Sequence, residues 1–204
     1  VKILENKSDS PVDIDGIPYT ALAIIVNGGS DADIGLAMYE KYNPGTPLYP
    51  RYSTKTDTWV DDPGATGVKV EVISPRTGNQ ETMTFQRAAG LPVHVALNVK
   101  RVGTLPSDIY AQLQKAIIED STKTLFSGET VTGFNQGGYD IGELVPVGRL
   151  YTPVNKVLGQ YGDSYILSLT IGLSAESQGL TPIQPGIAQM ATFDAANISV
   201  LVTL

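Results

Sequence analysis

From Val93 onward the chain alternates with a period of two. Val93, Val95, Leu97 and Val99 fall on one side, and His94, Ala96, Asn98 and Lys100 on the other. The stretch YILSLTIGL repeats the pattern, with Tyr165, Leu167, Leu169, Ile171 and Leu173 alternating with Ile166, Ser168, Thr170 and Gly172. A third run sets Ile198, Val200, Val202 and Leu204 against Ser199, Leu201 and Thr203. Shorter runs, Val68, Val70, Val72 and then Met83 with Phe85, flank PRTGN (75–79), which predicts a hairpin turn. This period is that of strands, and clean alternation predicts sheets buried on one face. ALAIIV (21–26) is apolar on both faces and predicts a central strand.

Helical periodicity follows NGG (27–29). Ser30 is placed to cap a helix, with Asp33 in the capping-box position and Ile34, Ala37, Met38 and Tyr42 along one side; NPG (43–45) ends it. A second helix is predicted from Pro106 to Asp120, with Ile109, Leu113, Ala116 and Ile117 as its stripe. Burying its three large apolar side chains contributes roughly 1.5–3 kcal/mol each before chain entropy is charged. IGELVPVGRLYTPVNKV (141–157) predicts a short helix opening at Glu143, whose carboxylate suits the positive end of the helix dipole. Leu144, Val147 and Leu150 give it an apolar face, and Pro153 stops it by excluding the α region from the preceding residue.

The order of elements predicts an α+β protein of two small domains, each a mostly one-sided β-sheet packed with one or two helices. Residues 1–15 read as a linker from upstream domains. Residues 16–90 read as the first domain, with a polar insertion at 43–66. Residues 91–204 read as the second, with an insertion at 121–142. Such insertions tend to carry contacts.

Composition narrows the function. The 204 residues are 42% hydrophobic and 17% charged, which is globular, and the net charge is −7. Negative charge repels phosphate backbones and anionic membranes, so neither nucleic acid nor a membrane surface is an expected partner. No apolar run reaches the roughly 18 residues that span a bilayer. Cysteine is absent, which removes disulfides, thiolate metal sites and thiol nucleophiles. The chain opens at Val1 with no signal-peptide pattern, which reads as a fragment or processed product.

Candidate chemistry is sparse. His94 is the single histidine, on the polar side of a strand; a Ser-His-Asp site would have to use it, and no GxSxG elbow supports one. DIDG (13–16) and DD (61–62) lack the spacing of a calcium loop, and NGGSD (27–31) matches no phosphate-loop pattern. Glu143 has Asp140 nearby as a possible second carboxylate, the minimum for a hydrolase, but nothing specifies the pair. No catalytic residue, cofactor or metal is therefore expected. Tyr49, Tyr52 and Trp59 form a candidate interaction loop, able to stack on a sugar or dock a protein, or else to anchor the loop to its own domain. Glu143, Arg149, Tyr151, Pro153 and Asn155 form a candidate structural joint.

The same joint carries a family resemblance. IGELVPVGRLYTPVNKV resembles the "IGE-x-V … LY-x-P-(I/V)N-x-V" segment of baseplate J-like proteins, the wedge proteins of contractile phage tails and related injection machines. IIVNGGSDADIGLAMYEKYNPGT (24–46) is similar to that family's glycine-turn and helix segment. VKVEVISPRTGNQETMTFQRAAGLPVHVALNVK (68–100) is similar to its hairpin and following strand. The helix at 106–120 and FDAANISVLV (193–202) fit its closing segments. These five stretches run in the family's order from about residue 16. The insertions at 49–64 and 121–140 are longer than the family's usual turns, and the family's N-terminal domains would lie upstream of Val1.

The resemblance implies assembly rather than catalysis: a wedge subunit of the virion tail baseplate, joining tube and hub to sheath and fibres and rearranging on contraction. Its implied partners are copies of itself and other baseplate, sheath-initiating and tube proteins. The rival expectation is a carbohydrate-binding adhesin module using the aromatic loop at 49–64.

Overall fold

The computed structural model describes residues 1–13, 16–42, 45–53, 55–56, 58–60, 67–74, 77–122 and 138–204. The architecture is α+β, with small sheets packed with helices. The chain divides into two compact units, Val1–Ala89 and Gly90–Leu204, and the division falls inside AAGLP.

In the first unit, β1 (Lys2–Glu5) runs antiparallel to β2 (Leu22–Val26), with Ile3 opposite Ile24. The stretch expected as a linker thus contributes a strand. After β2 come helix α1 (Asp31–Lys41), β3 (Leu48–Tyr49), β4 (Tyr52–Ser53) and β5 (Thr58–Trp59). A hairpin of β6 (Gly67–Ile73) and β7 (Gln80–Arg87) follows. The main sheet has the order β1-β2-β7-β6, with β3 alongside β2. β2 is interior, as its two-sided apolar character requires, and Ala23, Ile24, Ile25 and Val26 are buried. The hairpin closes through Ser74 N–H to the Asn79 carbonyl (2.8 Å) and Gly78 N–H to the Ser74 carbonyl (2.9 Å); Pro75 and Arg76 lie outside the described residues.

α1 starts as its sequence predicts. Asp33 N–H donates to Ser30 Oγ (3.2 Å), and Ser30 Oγ donates to Asp33 Oδ2 (2.6 Å). The buried stripe is rotated from the expected one. Met38 is buried and Ile34 and Tyr42 half-buried, but Ala37 is exposed and Gly35 is buried instead. Gly35 faces Val70 of β6 so closely that a Cβ would stand 2.7 Å from Val70 Cγ1. The absent side chain lets the helix backbone rest on the strand. Tyr42 N–H, donating to the Met38 carbonyl, closes the last turn; Asn43 and Pro44 of the predicted stop lie outside the described residues.

β8 (Ala89–Pro92) begins at the last residue of the first unit and leads in the second into β9 (His94–Lys100), then α2 (Ile109–Thr122), α3 (Val147–Leu158), β10 (Tyr165–Gly172), β11 (Gln189–Thr192) and β12 (Ile198–Thr203). β9 is central: β10 flanks it antiparallel and β12 parallel, while β8 pairs with β11. Val93, Val95, Leu97 and Val99 are all buried, in one core with Ile109, Leu113 and Ile117 of α2 and Leu150, Val154 and Leu158 of α3.

Two expectations need correction here. In β10 the register steps from Ile166 opposite Val99 to Ser168 opposite Asn98, so Leu167 is an extra residue in a bulge. The phase reverses across it. Leu169 and Ile171 point into the core, joined by Ile166, while Tyr165 and Leu167 stay about half exposed. The helix of the 141–157 stretch also differs. It does not open at Glu143, because Pro146 bars Val145 from the α region. Pro146 is instead the extended N-cap, and α3 begins at Val147. Nor does Pro153 stop it. The ring costs one intrahelical N–H, but Pro153 is buried beside Leu150, Val154 and Leu158, and that packing carries the helix through.

Candidate functional site

A connected polar cluster of the second unit lies where 138–146 enters α3. Gly138 and Gly142 turn the chain with φ of 54° and 67°. Gly142 N–H donates to the Gln189 carbonyl (2.7 Å), and Val145 and Ile183 exchange both backbone hydrogen bonds (2.9 and 3.1 Å). These contacts hold the entry segment, and Pro146 fixes where α3 starts. Arg149, in the first turn of α3, is thereby aimed back across the segment.

Arg149 gathers partners from the entry segment and from α2. Its Nη1 donates to Glu143 Oε1 (3.2 Å), and its Nη2 to the Gly138 carbonyl. Its Nε stands 3.6 Å from Asp120 Oδ2, near the end of α2. The guanidinium lies over the Tyr139 ring at 4.2 Å, and Tyr139 in turn stacks on Phe193 at 5.5 Å. The other oxygen of Glu143 accepts from Asp140 N–H (2.6 Å). The Arg149 and Asp120 side chains are only 15% and 9% exposed, so this is a nearly dry ion pair. Burial raises the Asp120 pKa above the ordinary carboxylate value, opposed by the charge of Arg149. Burial likewise pushes the Tyr139 phenol up to about 12.

This arrangement braces the entry to α3. Both Glu143 oxygens are engaged, one by Arg149 and the other by the backbone N–H of Asp140. Of the five predicted joint residues, the structure brings together Glu143 and Arg149. Tyr151 packs at the margin of the core, Pro153 is buried in mid-helix, and Asn155 is exposed, its carbonyl accepting from Gly159 N–H (2.9 Å). Sequence reasoning missed Asp120 and Phe193, because no local pattern links positions so far apart in the chain, and Tyr139, whose ring contacts with Arg149 and Phe193 only the fold sets.

The aromatic loop belongs to the first unit. Tyr52 and Trp59 sit opposite each other on β4 and β5, edge to face, with centroids 5.3 Å apart. Lys69 Nζ stands 4.2 Å from the Tyr52 ring centre and 3.2 Å from its hydroxyl. Trp59 lies so close over Gly67 that a Cβ there would be 2.7 Å from its ring. Tyr49 pairs with β2 through β3. All three rings are half-buried against their own unit.

The remaining candidates yield no site. The NGGSD turn is filled by the protein itself: Arg87 donates to the Gly28 and Gly29 carbonyls and pairs with Asp31. Asp13 accepts from Ile17 N–H (2.8 Å), while Asp15, Asp61 and Asp62 lie outside the described residues, as does most of the 121–142 insertion. Among the described residues no group of three or more His, Cys, Asp or Glu could hold a metal ion, and no helix is long and apolar enough to cross a membrane. Compared with models of known families and with curated proteins, the chain has no significant match.

Proposed function

We propose that this chain is a structural component of a contractile-tail baseplate, a wedge subunit that joins tube and hub to sheath and fibres and shifts its packing when the tail contracts. The observation that carries the proposal is the set of five segments resembling baseplate J-like proteins in the family's order. The most specific of them, IGE…LYTPVN, folds as a braced turn and helix whose charged groups are consumed internally. Such internal bracing is in keeping with a structural joint. The net charge of −7 disfavours phosphate-rich partners, in keeping with protein neighbours. In this reading the protein is not an enzyme, and its partners are other copies and other baseplate, sheath-initiating and tube proteins.

The test is affinity purification of the full-length protein from the cells that make it, read by mass spectrometry. Co-purification of tail sheath, tube and baseplate proteins is the expected result. Recovery with surface glycans and without tail proteins would overturn the proposal in favour of an adhesin.

A further inference from the structure

An apolar groove runs along the first unit. Its floor is one face of β1 and β2 with the adjoining Val1, contributed by Val1, Ile3, Leu22, Ile24 and Val26, and its wall is the side of α1 that carries Ile34 and Met38. The cause lies in the layering. α1 rests on β6 and β7, at the far side of the sheet, so the same face of β1 and β2 lacks a full cover. Ile3 is consequently 60% exposed, although it stands opposite buried Ile24.

The groove is polar at one end. α1 returns antiparallel to β2, so its last turn lies beside Leu22, and Lys41 and Thr46 line the groove there. The neighbouring Tyr42 hydroxyl already donates to the Thr46 carbonyl. Among the described residues Lys41 is the one charged side chain of the lining. The volume, about 440 Å³, lies within the usual range for small-molecule sites, roughly 300–1,000 Å³. The five residues of β2 extend roughly 16 Å, the reach of a medium-length acyl chain.

We infer that this groove binds a single-chain amphiphile with an anionic head, the chain lying along Ile3, Leu22, Ile24, Ile34 and Met38 and the head meeting Lys41. The inference is independent of the baseplate proposal. It rests on an apolar body, a polar end with one cation, and a matching size.

The test is titration of the full chain with dodecanoate below its micelle concentration, followed by calorimetry, with circular dichroism confirming that the fold persists. Saturable one-to-one binding is expected. Ala37→Trp fills the groove from an exposed helix position and should abolish binding. Lys41→Glu should weaken dodecanoate at least about tenfold and favour dodecyltrimethylammonium, which has the same chain and the opposite charge. Absence of saturable binding to the wild type would overturn the inference. So would equal affinity for the two amphiphiles, or binding indifferent to both substitutions.

Discussion

Arg87 in the first unit and Arg149 in the second use the same set of contacts. Each guanidinium lies over an aromatic ring, Phe85 at 5.3 Å and Tyr139 at 4.2 Å. Each donates to backbone carbonyls and meets a carboxylate. What separates them is water. The Arg87 partner Asp31 is 53% exposed, whereas Asp120 is 9% exposed. At the surface solvent screens such a pair, and its net worth is about 0–1 kcal/mol. In the interior the same contacts must offset the desolvation of both ions, and removing one partner strands the other. The Arg87–Asp31 pair trims a turn, and the Arg149–Asp120 pair holds an interior together.

The comparison can be broken most directly at Arg149. Arg149→Met should cost about 3–5 kcal/mol in urea unfolding at neutral pH, because Asp120 is left buried without its cation. The loss should shrink on acidification. Without the cation, the folded pKa of Asp120 rises further above its unfolded value. The folded state then binds the proton more readily, and stability returns as pH falls. A loss independent of pH would show that Arg149 acts through packing alone.

Asp120→Asn should cost less, about 1 kcal/mol, since it removes the charge whose burial is unfavourable. Its sign with pH is fixed by the raised pKa. The native Asp120 is at its most favourable below the ordinary carboxylate value and loses that advantage as pH rises through its folded pKa. The stability of wild type relative to the variant should therefore decline from about pH 4 toward neutrality. A rise over that range would mean that Arg149's attraction outweighs burial.

The smallest effect is expected at the exposed clamp. Asp31→Asn should cost at most about 1 kcal/mol, and the difference should fade in 1 M salt. A salt-independent loss above that would erase the distinction between the two arginines.

What could be read from sequence depended on how local each cause was. The Ser30–Asp33 cap and the buried row Val93, Val95, Leu97, Val99 are set within a few residues, and both were legible. The bulge at Leu167 was not, because alternation alone cannot show an added residue whose evidence lies on the neighbouring strand. Pro146 and Pro153 carry the same local bias. The first prevailed, while the second was overridden by packing against residues elsewhere in the unit. Gly35 lay outside the predicted stripe, and its close contact with Val70 comes from the sheet beneath the helix. The brace was half legible: Glu143 and Arg149 lie in one stretch, but Asp120 and Phe193 come to it only through the fold.

The parallel seating of β12 on β9 has a consequence for synthesis. Ile198 pairs with Val95 and Thr203 with Lys100, so the central strand of the second unit acquires its last neighbour about a hundred residues after it is made. The first unit's sheet, by contrast, is complete once β7 has emerged at Arg87. On the ribosome the first unit can therefore settle early, while β9 waits with an open edge. Closing that long loop makes the second unit the slower to fold, and its unfinished sheet is where a chaperone has most to shield.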